Sequence, residues 1–395
     1  MSVRKHRGKW LVTIRLPDKT TKYQTFRLRK EADAYDLEKR GAIAKGDYVP
    51  DSKTVTVAEA ASLWLEAGRT ADPPLERSTL EGREQHINRH INPFIGTMKI
   101  SELTRSSVKA WQAQLTAQGR SANMIRRVTV SLGAILAEAQ DRELIRHNVV
   151  YEMRQKKGKR QKRTKLQIGR DIPSPDEIRA FIAALAQFPR LRPLFLVAIF
   201  SGLRASELRG LRWSDVDLNN GVVHVRQRAD RWGKIGDPKS EAGTRSVPLP
   251  PIVINTLREW KLIYPKPEHF GKPEAHSPEH LVFPSETGRP QHLRNIVRGG
   301  LWPVWLTAKV TRTVRDKKTG ATVAEAKYRG LHAFRHFFAS WSLARVVDGG
   351  LGLPLQLVKE RLGHSSITLT ADTYGHLLPS QDDGKEMAAA AEKLF

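Results

Sequence analysis

Residues 154–165 read RQKKGKRQKRTK, with no apolar side chain among them. Such a run cannot bury enough apolar surface to offset the entropy of ordering it, so no hydrophobic core is continuous across it. It divides the chain into stretches that must each find a core of their own. The length of 395 residues agrees, since it favours two or three domains over one. The expected organisation is a small unit over 1–50, a helical unit over 54–150, a basic linker over 151–172 and a second large unit over 173–395.

Each stretch carries its own periodicity. Trp10, Val12, Ile14 and Leu16 alternate with other residues, as in a half-buried strand; Pro17 to Thr20 supply a turn, and Tyr23 to Leu28 read as a second strand. Lys30 to Ile43 have helical composition, with Ala34, Leu37 and Ile43 as candidate packing positions. From 54 to about 150 the pattern is helical throughout, opened by Thr56-Val57-Ala58-Glu59, a capping-box word. The unit beyond the basic run opens in the same way with Ser174-Pro175-Asp176-Glu177 and continues into a buried helix at Leu194 to Phe200. Val222 to Val225 and Ser246 to Leu249 read as strands of a small sheet. Pro265 to Pro278 form a loop, Val310 to Tyr328 read as a hairpin insertion of no evident purpose, and Met387 to Phe395 as a short terminal helix. The fold class expected is multidomain α+β: a small N-terminal sheet with one helix, an all-helical bundle, and a mainly helical unit with a small antiparallel sheet.

Charge and composition narrow the function. Lys plus Arg number 67 against 41 Asp plus Glu, a formal net of +26, which favours a polyanionic partner, most simply nucleic acid. With no cysteine, disulfides, thiolate zinc sites and cysteine nucleophiles are excluded. No apolar signal core opens the chain, and the longest apolar run, Leu194 to Phe200, is too short to span a bilayer. A soluble, cytoplasmic protein, nucleoid-associated when on DNA, is expected.

Five words in the last half carry the chemistry: GLRASELRGLRW from Gly202, PKSEAGTRSVPL from Pro238, HAFRH from His332, LGHSS from Leu362 and Thr373-Tyr374-Gly375-His376. A tyrosine hydroxyl, with an ordinary pKa near 10, is a poor nucleophile without help. Attack on a phosphodiester also builds negative charge on the non-bridging oxygens, which fixed cations can stabilise. Arg204 and Arg335 suit that task, because a guanidinium binds phosphate as a planar fork. His332 and Arg335, at i and i+3, share a helix face; His336 can also reach it, although a structural part is expected for it. Gly363 is placed to end a helix just ahead of His364. Glu207 is expected to orient arginine without taking part in the chemistry.

The order and wording of these segments resemble the tyrosine recombinases, the phage integrase family of site-specific DNA recombinases. The resemblance spreads over roughly the last half of the chain. Its departures are Phe334, where leucine is more usual, and extra length between Leu249 and His332. It implies Arg204 and Arg335 as the phosphate clamps and Lys239 as the general acid for the leaving 5′-oxygen, with Lys234 a nearby competitor. It implies His332 as a hydrogen-bonding or base-like partner, His364 as a donor to a non-bridging oxygen and Tyr374 as the nucleophile. The reaction implied runs through a 3′-phosphotyrosyl link and a Holliday junction, with no metal, ATP or other cofactor. The implied partners are double-stranded attachment sites, a homotetramer on synapsed DNA and a DNA-bending or directionality protein, with no membrane. The units at 1–50 and 54–150 would be arm-type and core-binding DNA domains, the linker would lie along DNA, and the terminal helix would dock on a neighbouring subunit. Competing readings are a non-catalytic DNA-binding protein that keeps the fold, a chromosome-dimer resolvase and a type IB topoisomerase.

Overall fold

The computed structural model describes residues 2–15, 21–44, 55–155, 165–263, 280–315, 320–378 and 388, 391 and 392. Leu16, the turn at 17–20, most of the basic run (156–164), the whole loop at 265–278, most of the hairpin turn (316–319) and most of the terminal helix lie outside them. The chain divides into two compact units, Met1–Lys162 and Arg163–Phe395.

The first unit opens with an antiparallel sheet in the order β1 (Ser2–His6), β2 (Lys9–Arg15), β3 (Thr21–Phe26), backed by α1 (Arg29–Ala44). Alternation on β2 buries Val12 and Ile14 against Ala32, with Tyr35 and Ile43 packed alongside. This corrects the expected helix face: Ala34 is exposed and Leu37 is 75% exposed. Positions 32, 35 and 43 share a stripe at the helical period, whereas 34 and 37 point away from it. The strand β1, too basic and polar to announce itself, is an addition to the two strands expected.

The helical part follows as α2 (Val57–Thr70), α3 (Arg77–His86), a π-helical turn at Ile87–Ile91, α4 (Asn92–Ile95), α5 (Arg105–Ala117), α6 (Ala122–Asp141) and α7 (Val149–Gln155). The Thr56 capping box is formed: its hydroxyl accepts from the Glu59 N–H at 3.2 Å, and the Glu59 carboxylate accepts from the Thr56 N–H at 2.7 Å. Trp111 sits at the centre of a core of Val, Ile and Leu side chains, its indole N–H donating to the His90 carbonyl at 2.8 Å. A buried indole without that partner would be costly.

In the second unit, Ser174 caps α8 (Pro175–Ala184), again through a complete capping box. The sequence then forms α9 (Arg192–Ser201) and α10 (Ala205–Arg209). A sheet in the order β4 (Val216–Asp217), β5 (Val222–Val225), β8 (Arg245–Pro248) follows, with a separate β6–β7 pair (Arg228–Ala229 and Ile235–Gly236) between β5 and β8 in the chain. After α11 (Pro251–Ile263) come α12 (Leu293–Asn295), a π-helical stretch, α13 (Trp302–Thr307), the antiparallel pair β9 (Thr311–Arg315) and β10 (Thr322–Ala326), then α14 (His332–Leu343), α15 (Leu355–Leu362) and α16 (Ile367–Tyr374). No helix among the described residues is long and apolar enough to cross a membrane.

Phe334 and the hairpin at 311–326 are each held by local contacts. Phe334 is fully buried in an aromatic cluster with Phe181, Phe195 and Trp305. The larger ring there fills space between α8, α9, α13 and α14. The hairpin insertion is tied down at its base, where the Glu177 carboxylate accepts from the Tyr328 hydroxyl at 2.7 Å and pairs with Lys327. One carboxylate thus serves both the cap of α8 and the return from β10.

Candidate active site

Two left-handed glycines start the construction. Gly202 ends α9 at φ 63° and Gly363 ends α15 at φ 64°. A side chain has no room at either: a Cβ on Gly202 would meet the Phe338 ring at 2.5 Å, and one on Gly363 would meet the Ala242 carbonyl oxygen at 2.8 Å. Helix ends expose carbonyls that need donors. Here the donors are the two candidate clamp arginines. Arg335 donates to the Gly202 carbonyl at 2.7 Å and to that of Leu362 at 2.6 Å, and Arg204 donates to that of Gly363 at 2.8 Å. Arg335 is 2% exposed. Burial and the nearby charge of Arg204 push its pKa down to about 9, so the cation persists at neutral pH. A guanidinium has five N–H donors, so Arg335 keeps part of its fork for an anion.

Glu207 neutralises part of this cationic cluster. It is buried and accepts from Arg204 at 2.7 Å and from Arg245 at 2.8 Å, while Arg245 also donates to the Arg361 carbonyl at 2.7 Å. Burial alone would raise the Glu207 pKa. The hydrogen bond from Arg245 and the charges of Arg245 and Arg204 outweigh it and hold the carboxyl at about 2. The expectation that Glu207 orients arginine matches this geometry.

The histidines and the tyrosine close the site. The His364 Nδ1 lies 2.8 Å from the Thr370 hydroxyl, one turn before Tyr374 on α16. Burial, then the charges of Arg335, Arg204 and Arg245, push the His364 pKa down to about 4. Tyr374 is 1% exposed, and its hydroxyl lies 2.8 Å from the Nδ1 of His336. Burial raises the Tyr374 pKa to about 12 against the opposing charge of Arg335. The His336 ring stands 4.5 Å from that of His332, edge to face. Burial, His332 and Arg335 lower the His336 pKa to about 4. His332 lies at the solvent-facing rim, and packing around its ring together with Arg335 and Arg204 lowers its pKa as well.

These shifts set an acid response. His336 and His364 are neutral in the fold, with pKa values near 4 against an ordinary 6.5. Their contribution to stability is complete above pH 6.5 and is lost as pH falls through 4, because the unfolded chain binds protons first. Glu207 adds a second loss as pH falls from 4.5 toward 2. The thermal midpoint of the protein is expected to drop steadily below about pH 6.5. Calorimetry across that range checks it, and a midpoint constant down to about pH 4 would contradict it.

The structure thus gathers Arg204, His332, Arg335, His364 and Tyr374. Lys239 stands on an exposed turn between β7 and β8, six residues before Arg245, and Lys234 is exposed on the turn before β7. The contacts at the site that the sequence did not announce are those of Arg245 with Glu207, of Thr370 with His364 and of His336 with the Tyr374 hydroxyl. The i+4 spacing of His336 from His332 was the one available signal; Arg245 and Thr370 left none.

The profile of the phage integrase family matches residues 174–381, more than half of the chain. The chain belongs to the phage integrase family. Residues 56–116 match the phage integrase N-terminal SAM-like domain. A XerC-like tyrosine recombinase of Caldanaerobacter subterraneus subsp. tengcongensis is 28% identical to this family member over 374 residues, covering 89% of this chain and 87% of the relative. The ICEBs1 integrase of Bacillus subtilis is 24% identical, covering 87% of this chain and 84% of the relative. Among solved structures, the Tn1549 transposon integrase in complex with a circular intermediate DNA shares the fold at a TM-score of 0.63 and 20% identity, covering 86% of this chain and 99% of that one. A lambda integrase tetramer bound to a Holliday junction does so at 0.53 and 16%, covering 93% and 96%.

Proposed function

We propose that this protein is a tyrosine-type integrase that cuts and rejoins duplex DNA at specific sites to move a phage or other mobile element. The observation that carries this reading is the burial of Tyr374 within the electrostatic reach of Arg335, whose guanidinium is locked to two helix ends. Such preorganised cations need no rearrangement as charge develops on the phosphate, which is where electrostatic catalysis gains most. Arg204 and Arg335 hold the non-bridging oxygens. His364, its Nδ1 engaged by Thr370, presents its other ring nitrogen to the same phosphate, and His332 sits at the rim within reach of both arginines' charge.

Tyr374 attacks the scissile phosphorus, the 3′-phosphotyrosyl bond forms and the bond to the 5′-oxygen breaks. Lys239 protonates that oxygen, since an ammonium gives up a proton where a guanidinium does not. Attack by the 5′-hydroxyl of a partner strand reverses these events on new DNA. The lambda integrase tetramer on a Holliday junction supports a homotetramer as the working assembly. The segments 1–50 and 54–150 serve as arm-type and core-binding DNA domains. The family match across 56–116 supports the second of these. The basic run at 154–165 neutralises phosphates along the DNA, and a DNA-bending or directionality protein assists at the attachment sites.

The test is covalent trapping in EDTA on nicked duplexes tiled across the DNA that flanks the coding sequence. The expected result is a protein–DNA adduct stable on denaturing gels, with the residual nucleotide mapped by peptide sequencing to the segment bearing Tyr374. An adduct on a different residue would overturn the nucleophile. Tight binding with no adduct on any duplex would favour the non-catalytic reading.

A further inference from the structure

The 2.8 Å contact between the Tyr374 hydroxyl and His336 involves a histidine outside the six residues of the proposed reaction, and its chemical meaning rests on the recombinase reading. We propose that His336, rather than His332, is the general base that takes the Tyr374 proton during attack on DNA.

Geometry comes first for a general base, which must lie within hydrogen-bond reach of the proton it removes. Among the described residues, the polar partner of the Tyr374 hydroxyl is His336 Nδ1. His332 contacts the ring of His336 instead. The ring of His336 lies 4.5 Å from that of His332 and 5.7 Å from that of Tyr374. His332 is exposed at the rim, where the charges of Arg335 and Arg204 act on it.

The surroundings fit the assignment. The charged and titratable groups acting on His336 are His332 and Arg335 from its own helix, Asp171 from the segment ahead of α8, and Tyr374 from α16. Burial first, then the charges of His332 and Arg335, keep the imidazole neutral at pH 7, so its lone pair is available. Asp171 acts the other way and favours the imidazolium once a proton arrives, the part that a third group plays behind a base. In the resting state the proton belongs to Tyr374, whose pKa is about 12 against about 4 for His336. Transfer is therefore concerted with bond formation to phosphorus. The Oη–P bond forms, the bond from phosphorus to the 5′-oxygen breaks, His336 gains the tyrosine proton and Lys239 donates one to the leaving oxygen. Religation returns both.

The test is the single-turnover rate of adduct formation on a nicked duplex, from about pH 6 to 10, for wild type, His336→Asn and His332→Asn. Without its base, Tyr374 must ionise to solvent. His336→Asn is therefore expected to lose about 10²-fold or more near pH 7 and to recover in proportion to hydroxide, while wild type and His332→Asn stay flat above neutrality. A nicked duplex with sulfur in place of the bridging 5′-oxygen, a leaving group that needs no acid, should rescue Lys239→Ala and leave the His336→Asn defect in place. Should the asparagine variant fail to fold, triazolylalanine at 336, isosteric with histidine and far less basic, carries the same expectation. A His336→Asn rate within about threefold of wild type, or a loss with an unchanged pH profile, would overturn the base and leave the recombinase reading intact. A hydroxide-dependent profile in His332→Asn instead would move the base to His332. Absence of adduct from wild type would overturn both readings together.

Discussion

Tyr374→Phe is expected to abolish strand cleavage while leaving DNA affinity nearly unchanged. The substitution removes one hydroxyl and keeps the ring that fills the space between α14 and α16. The structural cost is the lost bond to His336, about 1 kcal/mol, which a folded unit of this size tolerates. The catalytic cost is of another order, because the proposed covalent link forms through that hydroxyl. Removing a nucleophile from a working constellation costs on the order of 10⁵-fold or more. Binding to a labelled duplex and adduct formation on a nicked one, measured on the same preparation, separate the two effects. Adduct at the wild-type rate would remove Tyr374 from the mechanism.

Arg335→Lys is expected to cut cleavage by at least about 10²-fold although the charge is kept. The fork of Arg335 reaches the Gly202 and Leu362 carbonyls at once and holds the ends of α9 and α15 against α14. An ammonium cannot span both and still meet a phosphate in two places. Arg335→Ala adds a structural loss to the chemical one. It leaves two helix-end carbonyls without this donor, for a destabilisation of about 3 kcal/mol. The lysine variant should therefore melt closer to wild type than the alanine variant, while both cleave poorly. A lysine variant that cleaves at the wild-type rate would show that Arg335 acts through its charge alone.

Local signals carried far in this chain. Both capping boxes, at Thr56 and Ser174, are formed as their spacing predicts, since the cap and its carboxylate are three residues apart and need nothing else. The buried strand alternation at Val12 and Ile14 and the helix stop at Gly363 were equally legible, because each depends on backbone geometry over a few residues. Where the signal is weak, the pattern misleads. The short helix over 29–44 is so polar that its apolar stripe could be set on Ala34 and Leu37, and only the sheet beneath it selects Ala32 and Tyr35.

The sequence by itself named the candidate groups for the chemistry, Arg204, Lys239, His332, Arg335, His364 and Tyr374, in an order that resembles the family's. Tertiary structure decided how they meet. Arg204 reaches a carbonyl 159 residues away, Arg335 one 133 residues away, and Tyr374 leans on a histidine 38 residues before it. No local pattern encodes such pairs. They arise when apolar packing of α9, α14, α15 and α16 brings helix ends together, and the resulting desolvation lowers the pKa of His332, His336 and His364 and raises that of Tyr374. Composition names the charges, but burial fixes how each one behaves.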